Sequence, residues 1–75
     1  MRKEFEELTI HQKMVILAQE MVDKELHLKD SLREFERVFL LIASRKYRGN
    51  TTRMAKALGI HRNTLHNRVK LLKIK

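Results

Sequence analysis

GNTTRMAKALGIHRNTLHNRVKLL, residues 49–72, holds two short segments of apolar patterning joined at a glycine. Met54, Ala55 and Leu58 recur at helical spacing in the first, and Leu65, Val69 and Leu72 do so in the second. The spacing predicts helices over residues 52–58 and 62–72. Asn50 or Thr51 caps the first of them. Ala55 is small where the two helices would cross closely. Gly59, four residues on, permits a left-handed turn without a Cβ clash. Ile60 and Leu65 plug the gap between the helices. The pattern is that of a helix-turn-helix.

Upstream, the apolar spacing predicts two longer helices. Thr9 is the expected N-cap of the first, over residues 10–27, whose stripe comprises Met14, Val15, Leu17, Ala18, Met21, Val22 and Leu26. Residues 28–30 read as a short connection. Ser31, with Glu34 three residues later, has the capping-box pattern. It would open a second helix over residues 32–47, ended by Gly49. The run at residues 38–43 is wholly apolar, so the apolar surface wraps most of the way round this helix. Such a helix needs more neighbours than one short chain supplies. A homodimer meets that need, with helices one and two packing against their copies through Val15, Ala18, Met21, Val22, Phe35, Val38, Phe39, Leu41 and Ile42. The alternative is a monomeric bundle with one greasy face.

Charge divides the chain. Residues 45–75 contain ten Lys or Arg and no acid, whereas residues 1–44 contain seven Lys or Arg and nine acids. A single-sign block this dense points to a polyanion, and nucleic acid comes first. In a helix-turn-helix the second helix enters the major groove with its N-terminal residues at the base edges. The outward residues there are His61, Arg62, Asn63, Thr64, His66, Asn67, Arg68 and Lys70. Arg matches the paired acceptors of guanine, and Asn the donor–acceptor pair of adenine. Arg62 is the first candidate for base readout, followed by His61, Thr64, His66 and Asn67. For phosphate, Asn50, Thr52 and Arg53 sit at a helix N-terminus, and Asn63, Arg68, Lys70 and Lys73 add donors. Plainer roles stand beside these. Asn50, Thr51 and Thr52 serve as caps, His61 as a turn residue, and Lys70, Lys73 and Lys75 as complements to a helix dipole.

Taken together, residues 1–75 read as one all-α domain of four helices. A two-helix dimerisation part over about residues 9–47 precedes the helix-turn-helix at 50–72. Without cysteine, disulfides and thiolate metal sites are excluded. The longest apolar run is six residues, far too short to span a membrane. His61 and His66 have no carboxylate or Cys near them in sequence, so no metal or other cofactor is expected. No nucleophile lies beside a plausible base, and an enzyme is not expected. Tyr47 is the only aromatic residue of the basic half, which disfavours single-strand RNA readout by stacking. An assembly module, with the basic half bound to an acidic protein, is the competing class.

Residues 49–72 resemble the C-terminal DNA-binding region of the bacterial Fis protein and the Fis-type domain that ends NtrC-type transcriptional activators. Gly49-Asn50, Thr52-Arg53, Ala55, Leu58-Gly59, Arg62, Thr64-Leu65 and the basic end of the last helix carry the likeness. It implies a homodimer built on an intertwined four-helix bundle, two DNA-binding units on one face, and bending of double-stranded DNA. It also implies a guanine-reading role for Arg62 and phosphate contacts for Asn50, Thr52, Arg53 and Arg68, at the bacterial nucleoid in the cytoplasm. Two departures bear on role. His66 and Asn67 replace basic residues of Fis, and MRKEFEEL shows nothing of the β-arm by which Fis stimulates invertases. The expectation is the DNA-binding domain of an NtrC-type activator, with an ATPase domain upstream. A stand-alone, nucleoid-organising Fis-like protein is the alternative.

Overall fold

The computed structural model describes residues 5–72. Residues 1–4 of the charged N-terminal segment, together with Lys73 and Lys75, lie outside the described residues. A 3-10 turn at Phe5–Glu7 is followed by α1 (Ile10–Asp23), α2 (Leu28–Lys46), α3 (Thr51–Leu58) and α4 (Arg62–Leu71). The protein is all-α, as the sequence leads one to expect. A division into two compact units falls between Ser31 and Leu32.

The first unit contains the 3-10 turn, α1 and the first turn of α2. Thr9 caps α1 in a reciprocal box: its Oγ1 accepts from the Gln12 amide at 3.1 Å, and Gln12 Oε1 accepts from the Thr9 amide at 2.8 Å. α1 stops at Asp23 and not at residue 27. There the Leu26 amide donates to the Met21 carbonyl (3.1 Å) and the Glu25 amide to that of Val22 (2.9 Å). This is the Schellman pattern of closing bonds. Glu25 occupies its left-handed position at φ 57°. Glycine or asparagine usually marks such a stop, and with glutamate there the sequence hides it.

The reversal at Glu25 lets α2 start at Leu28, a turn earlier than expected. The Ser31 amide donates to the His27 carbonyl at 2.9 Å, so Ser31 lies inside the helix and does not cap it. Glu34, its expected capping partner, instead accepts two hydrogen bonds from Arg37 one turn on, at 3.0 and 3.3 Å. Those bonds hold the Glu34 carboxyl below the usual carboxylate range. α1 buries no residue, and Met14, Val15, Ile16 and Val22 are exposed along it.

The core belongs to the second unit. Leu40 and Ala43 of α2, Met54 and Ala55 of α3, and Leu65 and Leu72 on and beside α4 form one buried cluster. Tyr47, Leu58, Ile60 and Val69 pack against its edge. Among the described residues every buried one is apolar, so the cluster holds no buried polar side chain that needs a partner. Leu65 is fully enclosed, and burial of a side chain of this size stabilises by roughly 1.5–3 kcal/mol. The inner faces expected for α3 and α4 are the ones observed.

α2 closes as α1 does, with the Gly49 amide donating to the Ser44 carbonyl at 2.9 Å. Gly49 has the expected positive φ, 74°, but Arg48 before it is left-handed as well, at 53°. Asn50 alone then separates this turn from α3. After α3 the chain turns at Gly59, φ 71°, and the Ile60 amide donates back to the Ala55 carbonyl at 3.0 Å. These two tight closures bring the first turns of α3 and α4 to one side of the core.

Candidate nucleic-acid interface

Both short helices start on side-chain caps. Asn50 Oδ1 accepts from the Arg53 amide at 3.1 Å, while the Asn50 main-chain amide donates to the Tyr47 carbonyl at 3.0 Å; the side-chain Nδ2 remains as a donor. His61 caps α4: its Nδ1 accepts from the Asn63 amide at 3.2 Å. Histidine is uncommon in this role, since Ser, Thr, Asp and Asn are the usual caps.

An open groove of about 460 Å³ lies between the two first turns, lined by Thr51, Thr52, Arg62, Asn63 and His66. No lining residue is acidic. A smaller recess of about 180 Å³ is bounded by Ser44, Gly49, Thr51, Met54, Leu65, His66 and Val69. Thr51 and His66 border both. Thr51, read from the sequence as a capping residue beside Thr52, is half-buried and lines the groove.

Burial of Leu65, Val69 and Leu72 sorts the other residues of α4, at about 3.6 residues per turn. Arg62 and His66 take the flank nearer α3 and border the groove. Asn63 lines the groove with them, whereas Asn67, Lys70 and the apolar Leu71 are exposed and lie outside its lining. Thr64 is exposed and lies outside the groove lining. Arg68 takes the opposite flank, towards α2, where both oxygens of Glu36 receive its guanidinium at 2.8 Å each. The residues read together as one outward set therefore occupy three distinct surfaces. Arg53 and Lys70 are exposed cations. Arg45, Lys46 and Arg48 add positive charge at the end of α2, with Lys46 Nζ 5.5 Å from the centre of the Tyr47 ring.

The residues expected at a dimer interface are open in the single chain. Val15, Val22, Phe35, Val38, Phe39 and Ile42 are all exposed, Val38 least at 39% and Val22 most at 68%. Ala18 is exposed, and Met21 and Leu41 are half-buried. Among the described residues no helix is long and apolar enough to cross a membrane.

A family model described as "Bacterial regulatory protein, Fis family" matches residues 31–71, more than half of the chain. The matched span takes in nearly all of α2 together with α3 and α4. No curated protein and no solved structure matches the chain.

Proposed function

The chain belongs to the bacterial Fis family of regulatory proteins, whose helix-turn-helix binds DNA, and from that premise we propose a homodimer that binds double-stranded DNA sequence-selectively and bends it. The observation that carries this reading is the groove between the first turns of α3 and α4. There Arg62 and His66, the Thr51 and Thr52 hydroxyls and two capped helix N-termini converge with no carboxylate among them.

In this reading α4 lies in the major groove. Arg62 offers its bidentate fork to a guanine from the first turn, and Thr64, His66 and Asn67 meet neighbouring base edges. Asn50, Thr52, Arg53, Asn63 and Lys70 hold phosphates on either side. The exposed stripes of α1 and α2 pack against a second copy, which gives the site two-fold symmetry. Recognition helices held closer than one turn of B-DNA would require the duplex to bend, so that the flexibility of its central steps adds to selectivity. The resemblance of residues 49–72 to the domain that ends NtrC-type activators supports a place in transcriptional control beside an ATPase domain of the same protein.

Selection from a random duplex library, followed by sequencing of the retained DNA, tests this. The expected result is a two-fold motif with guanines placed symmetrically about an A/T-rich centre. Retention without a motif would instead identify a general DNA-organising protein. No retention would overturn the DNA reading and favour the assembly module.

A further inference from the structure

His61 has two ring nitrogens with different surroundings. Nδ1 accepts a hydrogen bond from the Asn63 amide and so caps α4. A nitrogen that accepts carries no proton. In neutral imidazole the proton must then sit on Nε2, which becomes a donor and cannot accept. His61 is exposed, and Nε2 has no protein partner among the described residues. Its neighbours in sequence, Arg62 and Asn63, both line the groove.

We propose that His61 is a specificity-determining residue whose hydrogen-bonding sense is set by the fold: because the recognition helix uses Nδ1 as its cap, His61 presents only an N–H donor to the DNA. This rests on the DNA-binding reading and deepens it. The inference ties two properties that are separate in most recognition helices, the folding of the first turn and the chemistry offered to a base. In the major groove guanine presents two acceptors, N7 and O6, adenine presents N7 and thymine presents O4, whereas cytosine presents only its N4 amino donor. A donor at this position therefore accepts guanine, adenine or thymine on the strand it faces and rejects cytosine, donor against donor. Protonation of the ring would place a hydrogen on Nδ1, abolish the cap and set a positive charge against the helix N-terminus. The cap and the outward donor are thus two properties of the same tautomer.

Two experiments separate this inference from the reading beneath it. The first uses the free protein. Nitrogen-15 spectra of the His61 ring in its neutral form are expected to show the Nε2–H tautomer, and His61→Ala is expected to weaken amide-exchange protection in the first turn of α4. Predominance of the Nδ1–H tautomer overturns the proposal whether or not the protein binds DNA. The second compares library selections for the parent and His61→Ser. Serine keeps a cap but is too short to reach a base. The parent is expected to discriminate against cytosine at one base pair per half-site by roughly two- to tenfold, the range of a single hydrogen bond. His61→Ser is expected to lose that discrimination while keeping the guanine preference assigned to Arg62. Unchanged discrimination in His61→Ser, or a parent preference for cytosine there, overturns it.

Discussion

Glu36 of α2 and Arg68 of α4 are joined side by side: Arg68 Nε donates to one carboxylate oxygen and Nη2 to the other, each at 2.8 Å. The residues are 32 positions apart in sequence, and theirs is the only side-chain hydrogen-bonded pair among the described residues that links two helices. Glu36 is thus the acid that answers one cation of the basic half. The pair fixes the rotation of α4 from the side opposite the groove, with Leu65 as the axis between.

From that pairing, Arg68 is expected to act on stability and Lys70 on DNA. The pair is more than a third exposed, so its contribution is discounted to about 0.5–1 kcal/mol. Glu36→Gln and Arg68→Gln should each lower unfolding free energy by that much, and the double variant by less than their sum. Lys70→Ala should reduce the slope of log affinity against log salt by about one contact, and Arg68→Gln by much less. Equal losses of slope in the two variants would return Arg68 to the phosphate.

Dimerisation should depend on the exposed stripe of α2. Phe35 and Phe39 lie with ring centroids 6.0 Å apart, and Ile42 continues the same stripe at 59% exposure. Replacing Phe39 and Ile42 together by glutamate places two charges on a face that would be buried in the dimer, at a cost of several kcal/mol. Sedimentation should then show monomers, with helix content kept by the α2–α3–α4 core and affinity for a two-fold DNA site reduced at least a hundredfold. A variant that sediments as the parent does would place the dimer contact elsewhere.

Leu65 should be the least replaceable side chain of the helix-turn-helix. It is fully buried among the residues of three helices, so Leu65→Ala should cost about 2–5 kcal/mol, enough to unfold a domain of this size. Leu71→Ala, at 59% exposure on the same helix, should shift stability by about 0.5 kcal/mol or less. Denaturant unfolding of the two variants gives the comparison directly.

Glu25 is a place where the protein can be improved. Its φ of 57° strains any residue with a Cβ, and glycine relieves that strain. Glu25→Gly should raise thermal stability by about 0.5–1 kcal/mol, less what glycine adds to the entropy of the unfolded chain. A loss of stability would mean that the glutamate side chain contributes something beyond its backbone.

Much of the architecture was legible one turn at a time. Thr9 as a cap, Asn50 as one of two candidate caps, the positive φ of Gly49 and the left-handed stop at Gly59, and the inner faces Met54–Ala55–Leu58 and Leu65–Val69–Leu72 all involve residues close together in sequence; Arg48, which takes the left-handed closing position of α2, was not among them. Periodicity and side-chain chemistry determine such features because their partners lie three or four positions away. The boundary between α1 and α2 was not legible. Its stop is carried by main-chain hydrogen bonds around a glutamate, and Ser31–Glu34 supplied a local pattern that matched a different start.

By itself, then, the sequence determined an all-α chain with an acid-free basic half and a capped pair of short helices, since each of these is a matter of composition or of neighbours along the chain. Only the tertiary structure decided how the outward residues of α4 divide. It set Arg62, Asn63 and His66 at the groove, left Asn67 outside its lining, and gave Arg68 to Glu36. That division depends on which side of α4 is buried against α2 and α3, and on a carboxylate 32 residues away whose closeness no local spacing records.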